Sequence, residues 1–150
     1  MKLTNSFDIS SSALTAQRLR MDVISSNIAN ADTTRTKLVD GKWVPYSRKI
    51  VTMEPKGSNS PFSKILDTNM RDSTGEGVKV TKIFDDSAPF KQVYNPSHPD
   101  ADENGFVMMP NVDILKEMVD MISATRSYEA NVTALNASKA MITKALEIGR

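Results

Sequence analysis

The sequence predicts an α+β protein whose long N- and C-terminal helices pair as an antiparallel coiled coil around a small β-rich insert. Both ends of the chain contain long stretches without proline or glycine, and in each stretch apolar residues recur every three or four positions. All seven prolines and five of the six glycines lie between these stretches. We therefore predict a helical region, residues 1–35 plus 111–150, and an insert, residues 36–110.

The N-terminal helix is predicted from the stretch Asn5 to Asn30, which lacks proline and glycine. Seven of its positions alternate in spacing between three and four, and five of the seven are apolar. This spacing keeps the apolar line on one side of a helix. The positions are Phe7, Ser10, Leu14, Gln17, Met21, Ile24 and Ile28.

The C-terminal helix has the longer pattern, with Asn111 as the expected N-cap and Gly149 as the expected stop. A helix of about 35 residues is roughly 50 Å long, which is too long for a small chain to cover by itself. We expect the N-terminal helix to cover one side of it and another subunit to cover the apolar surface that remains. Eight of the ten seam positions are apolar, and the ten are Ile114, Met118, Met121, Thr125, Tyr128, Val132, Leu135, Lys139, Ile142 and Leu146.

The insert is predicted to consist of short strands and loops. Residues 38–44 read as a β-hairpin, because Asp40-Gly41 suits a type I′ turn. Alternating or β-branched runs predict further strands. These runs are 46–53, 78–84, 90–94 and 106–109.

Composition argues against several functions. The chain has nineteen basic and eighteen acidic residues and no basic stripe, so we expect no nucleic-acid partner. The lack of cysteine removes thiolate chemistry and most structural zinc sites. No apolar run approaches the roughly 20 residues that span a bilayer. No apolar segment follows Lys2, so we expect no cleavable secretory signal.

Two small features could hint at a metal site or at catalysis. Asp100, Asp102, Asn104 and Gly105 match the start of a calcium-binding loop, but the twelfth position is Asn111 instead of the bidentate glutamate. A polar turn through Asn104-Gly105 is the preferred interpretation. The single histidine, His98, is accompanied by no nucleophile motif, although a hydrolase using it with Asp100 is a weaker alternative. We predict no catalytic residue, cofactor or metal.

Three motifs follow one another along the chain. The first is SNIANA at 26–31, followed by Thr33 and Thr34 and, at 45–49, by PYSRK. The second is VYNPSHPDAD at 93–102, with GFV at 105–107 and MPNVD at 109–113. The third is the tail 117–149, which includes RSYEAN at 126–131. In this order the three motifs resemble the proximal-rod protein C family of bacterial flagellar basal-body rod proteins.

The resemblance implies a structural subunit of the proximal rod whose paired terminal helices stack around the central channel and transmit motor torque. It also implies partners, namely other rod proteins, copies of itself and base or export-apparatus components. Export would follow the flagellum-specific type III route to the basal body in the cell envelope, which is periplasmic if an outer membrane is present. The alternative is a coiled-coil adaptor or another type III-exported component outside the rod.

Within this interpretation, Asn27 and Asn30 would hydrogen-bond the last helical carbonyls or start the outward turn, and so set the angle between the helix and the insert. The predicted assembly interface combines these two with the helical seam residues. It comprises Phe7, Leu14, Met21, Ile24, Asn27, Ile28, Asn30, Met118, Met121, Tyr128, Val132, Leu135, Ile142 and Leu146.

Overall fold

A computed structural model of the chain describes residues 5–39, 42–56 and 77–148. It confirms the α+β class, with one helix towards each end and short strand pairs between them. The Asp40-Gly41 turn and the Gly149 stop lie outside the described residues. Within the described ranges, no helix is long and apolar enough to cross a membrane.

The two helices occupy nearly the predicted stretches. Helix α1 is Asn5–Ala29 and helix α2 is Ile114–Ile148. Arg20 contacts Asp120, and Asn27 contacts Glu117, so this portion of α1 runs antiparallel to the start of α2. Coiled-coil pairing of the two helices stays a prediction.

Among the residues that the structure describes, the strands form three two-stranded sheets. Strand β1 (Lys37–Val39) pairs antiparallel with β2 (Lys42–Val44), as the hairpin motif predicts. Strand β3 (Lys49–Pro55) pairs with β4 (Val78–Asp85), and β5 (Lys91–Tyr94) pairs antiparallel with β6 (Phe106–Met109). The strand predicted at 46–53 begins later, at Lys49, and residues 45–48 are not in a strand.

Backbone contacts divide the chain into two units. Unit 1 comprises residues 1–19, 52–82 and 124–150, and unit 2 comprises residues 20–51 and 83–123. In unit 2, Ala31, Tyr46 and Val112 pack as a small apolar cluster. In unit 1, the Ser12 hydroxyl donates to the Ile9 carbonyl and accepts from the Val78 amide. This hydroxyl therefore ties the first half of α1 to the start of β4.

The N-cap of α2 differs from the prediction. Asp113 caps the helix, because its Oδ1 accepts from the amides of Leu115 at 3.1 Å and Lys116 at 3.4 Å. The predicted cap, Asn111, instead accepts from the Arg48 amide and donates to the carbonyls of Asp86 and Ala88. Asn111 is occupied by the strand ends, which leaves the cap to the next acid in the chain.

We expect Asp113→Ala to lower the free energy of unfolding by about 1 kcal/mol, since two amides of the first turn lose their acceptor. Urea titration followed by circular dichroism measures the loss. Asp102→Ala removes an exposed loop aspartate and should change stability by no more than about 0.5 kcal/mol. Equal losses in the two variants would contradict the assigned cap.

The stripe of α2 that the chain itself covers overlaps the predicted seam but extends to one side of it. The covered positions include six of the ten seam residues, namely Met121, Thr125, Tyr128, Val132, Leu135 and Ile142. The positions between them are polar or small, namely Glu117, Ala124, Asn131 and Ser138. Met118 and Leu146, which belong to the predicted seam, are exposed.

Candidate assembly site

The side chain of Asn27 uses its full hydrogen-bonding capacity inside unit 2. Its Nδ2 donates to the Lys49 carbonyl at 2.9 Å and to Glu117 Oε2 at 3.0 Å. Its Oδ1 accepts from the Lys49 amide at 2.9 Å and from the Tyr46 hydroxyl at 3.0 Å. The residue is 1% exposed. Asn27 therefore joins the last turn of α1, the first residue of β3 and the start of α2.

Glu117 is equally buried, and its charge is balanced by Arg48. Glu117 is 1% exposed, and its Oε1 accepts from Arg48 Nε at 2.6 Å. A carboxylate removed from water needs such a partner, because its desolvation costs several kcal/mol. Asp86 lies at 3.5 Å and Asp120 at 3.7 Å from the same guanidinium. Arg48 thus contacts three carboxylates, two from α2 and one from the residue that follows β4.

The carboxylates around Arg48 raise its pKa. Burial by itself lowers the pKa of Arg48, but hydrogen bonds and charge from Glu117 and then Asp86 outweigh it, so the pKa is raised. The guanidinium therefore stays charged at neutral pH. Its backbone takes part as well, since its amide donates to Asn111 Oδ1 and its carbonyl accepts from the Asp86 amide.

The second predicted asparagine plays the simpler of the two expected roles. Asn30 Nδ2 donates to the Ser26 carbonyl at 2.8 Å, which confirms that it bonds a last carbonyl of α1. Asn27 does not cap, since both its side-chain polar atoms point to β3, Tyr46 and Glu117. Its link to Lys49 is the kind of contact that fixes a helix against the insert.

A second polar cluster holds the loop that resembled a calcium site. Asp100 Oδ2 accepts from the Thr34 hydroxyl at 2.8 Å, and Oδ1 accepts from Arg35 Nε at 2.6 Å. The Arg35 hydrogen bond is the main cause that lowers the pKa of Asp100. The Gly105 amide donates to the Asp102 carbonyl with Gly105 at φ +78°, which confirms the polar turn. In the described ranges, no three acidic or histidine side chains cluster as metal ligands would.

His98 lies in the same loop and has a structural contact. Its Nδ1 accepts from the Asp100 amide at 3.1 Å. The side chain is about one-third exposed, at 31%. The contact closes the short turn from His98 to Asp100.

The predicted interface residues fall into three groups by exposure. Ile24 and Asn27 are buried within the chain, whereas Met118 and Leu146 are exposed. The remaining ten are partly covered, and their role in assembly stays a prediction. They are Phe7, Leu14, Met21, Ile28, Asn30, Met121, Tyr128, Val132, Leu135 and Ile142.

Sequence reasoning missed most of the polar network. Tyr46 and Arg48 belong to the PYSRK segment, which stood out only through the family resemblance. Glu117 was not predicted as a contact residue, yet it is the first member of the covered stripe. The available signal was its spacing of four from Met121, which continues the four-three pattern of that stripe.

Two segments of the chain match families of flagellar rod proteins. Residues 7–37 match the family described as flagella basal body rod protein, and residues 103–148 match the C-terminal family of flagellar basal body rod FlgEFG proteins. Asn27 lies in the first segment and Glu117 in the second, so their hydrogen bond joins the two. Together the matches define the class, a structural protein of the flagellar basal-body rod.

Relatives over the full length specify the family. The chain is 59% identical to the flagellar basal-body rod protein FlgC of Bacillus subtilis, with 100% of both chains covered. It is 46% identical to FlgC of Borreliella burgdorferi (99% and 98% covered) and 44% identical to FlgC of Salmonella typhimurium (100% of both). The chain belongs to the FlgC family of flagellar basal-body rod proteins, which are structural components of the rod.

Proposed function

We propose that this chain builds the proximal rod by packing its terminal helices against other rod proteins and further copies of itself. In the assembled rod the helices line the export channel and carry motor torque. The observation that carries the proposal is an exposed apolar stripe on the first turns of α2. We call it the α2 stripe, and it consists of Ile114, Leu115, Met118, Val119 and Ile122.

The α2 stripe faces away from the residues that the chain covers. Its members are 44–76% exposed, whereas Glu117 on the same turns is 1% exposed. At 100° per residue, the middle of the stripe lies roughly 140° around the helix from the covered positions. Five large apolar side chains on one exposed face are typical of a surface that another protein covers.

The end of α2 supports the same proposal. All residues from 143 to 148 are exposed, and they include Leu146 at 73% and Ile148 at 85%. A solvent-exposed helix end of this kind gains stability when a neighbouring subunit packs against it. We therefore include this end with the α2 stripe in the assembly surface. The helical region, residues 1–35 plus 111–150, forms the inner layer of the rod in this proposal.

The location follows from the assembly. We place the chain in the basal body within the cell envelope, in the periplasm where an outer membrane is present, after type III export. Its proposed neighbours include base or export-apparatus components as well as rod proteins. No enzyme activity and no nucleic-acid contact belong to the proposal.

The test replaces two members of the α2 stripe in the chromosomal copy, as Leu115→Asp with Val119→Asp. We expect the protein to be made and exported but the cells to build no rod or filament and to lose motility. Because both positions are exposed, the purified chain should keep its stability within about 0.5 kcal/mol. Motility plates, export assays and electron microscopy of basal bodies provide the readouts.

Lys116→Asp is the matched control, since it places the same charge between the two positions on an exposed side chain outside the stripe. It should leave swimming unchanged. Normal filaments and swimming in the double variant would show that the α2 stripe is not packed in a rod. An adaptor role outside the rod would then be the better explanation.

A further inference from the structure

Unit 2 contains a surface groove that lies outside the proposed helix assembly surface. Its volume is about 480 Å³, within the range of ordinary binding sites. Trp43 and Phe90 supply two aromatic rings, and Pro45, Pro99 and Met108 supply further apolar surface. Trp43 is 51% exposed, an unusual state for the largest apolar side chain.

The apolar surface extends beyond the groove along the β5–β6 hairpin. Phe106 and Met108 are two residues apart on β6, so their side chains share one face of the hairpin. Tyr94 pairs with Phe106 in register, and their rings meet edge to face at 5.4 Å. All three side chains are exposed. The exposed apolar surface therefore continues from the groove at Met108 along the hairpin to Phe106 and Tyr94, which suits an extended chain better than a compact ligand.

The polar side of the groove is acidic. Asp100 and Asp102 line it, and no lysine or arginine of the described residues does. Arg35 and Thr34 already engage Asp100. Asp102 uses its backbone in the turn, and within the described ranges of the chain no hydrogen bond or ion pair engages its carboxylate. A carboxylate of this kind beside aromatic rings attracts a cation.

We propose that this groove binds an extended segment of a partner protein in which a lysine or arginine lies next to proline or aliphatic residues. The aromatic and proline surface receives the apolar residues, as in grooves that recognise proline-rich segments. Asp102 receives the cation. Acidic segments are rejected because they would bring like charge to Asp100 and Asp102. The proposal is independent of the helix assembly.

Trp43 provides a direct readout, because it is the single tryptophan of the chain. The full-length protein is titrated with a peptide of prolines and leucines that carries lysines, while Trp43 emission is recorded. The matched peptide carries glutamates in place of the lysines. We expect a saturable blue shift with the lysine peptide and none with the glutamate peptide.

Asp102→Asn should weaken binding of the lysine peptide about five- to tenfold, since one charge-assisted contact is lost. Glu103→Gln is the control, because this exposed neighbour does not line the groove, and it should bind like the unaltered chain. Circular dichroism confirms that both variants fold.

Three results would overturn the proposal. The lysine peptide could fail to shift the emission, or both peptides could shift it equally, which would indicate only non-specific apolar contact. Emission could also change with protein concentration alone, which would make a second copy the occupant. None of these results bears on the α2 stripe, so the two proposals fail separately.

Discussion

Replacing Arg48 by methionine is expected to lower the free energy of unfolding by about 3 kcal/mol, because Glu117 then keeps a buried charge without a cation. Glu117 is 1% exposed, and its other hydrogen bond comes from the side-chain amide of Asn27 at 3.0 Å. The loss lies at the lower end for broken buried pairs, since the Arg48 side chain is 17% exposed. Urea denaturation of the purified chain at neutral pH measures it.

The same substitution at an exposed pair is the matched control. Arg126 and Glu129 lie 2.8 Å apart with side chains 77% and 55% exposed. Arg126→Met should therefore cost no more than about 0.5 kcal/mol. A similar loss at the two sites would mean that burial does not strengthen the Arg48–Glu117 pair.

A double-mutant cycle separates the charge from the packing. Glu117→Gln keeps the size of the side chain and an oxygen for the Asn27 amide, so alone it should cost about 1–2 kcal/mol. Combined with Arg48→Met, it removes the unpaired charge, and the double variant should be more stable than Arg48→Met alone. Strictly additive losses would contradict a direct interaction between the two side chains.

The helices could be predicted from the sequence because their signals are local. Missing proline and glycine, together with four-three spacing, placed both helices to within a few residues of Asn5–Ala29 and Ile114–Ile148. The strands were harder to place, since the strand predicted at 46–53 begins only at Lys49, after Tyr46 and Arg48, which are committed to the polar network. Tertiary contacts there override the local preference.

The most apolar line predicted the covered face of α2 only in part, since six of its ten residues lie on that face. This helix has two candidate faces, and the chain covers the one with Glu117, Ala124, Asn131 and Ser138. Small residues permit close approach of other elements, and Glu117 is acceptable inside only because Arg48 comes from a distant segment. The more apolar Leu115 and Val119 are left exposed. Partners distant in sequence therefore decided the register, and no local pattern contains that information.

Asn27 shows what local sequence signals can predict and what depends on contacts between distant segments. The motif identified it as a residue of consequence, and its position at the end of a helix suggested capping. Its actual partners come from Tyr46, Lys49 and Glu117, which lie 19 to 90 positions away. The sequence could therefore indicate that Asn27 is important but not which residues it hydrogen-bonds.

Gly77→Ala is expected to destabilise unit 1 by about 3 kcal/mol, the second large effect. Gly77 has φ +101°, where an alanine is strained by about 1–3 kcal/mol. An added Cβ would also overlap Ser12 Oγ. That hydroxyl accepts from the Val78 amide at 3.1 Å, so displacing it costs about a further 1 kcal/mol. Hydrogen exchange should show the loss as faster exchange in residues 5–19 of α1.

Two variants separate the causes of this loss. Gly105→Ala shares a positive φ of +78° but meets only the edges of Tyr94 and Pro96, at 3.0 and 3.3 Å, so it reports mainly backbone strain. Ser12→Ala removes the overlapping hydroxyl. The double variant with Gly77→Ala should therefore lose less stability than the sum of the losses in the two single variants. Unchanged exchange in residues 5–19 of Gly77→Ala would mean that the Ser12–Gly77 contact does not hold the first half of α1. The N-terminal helix would then depend on its neighbours in the rod for its order.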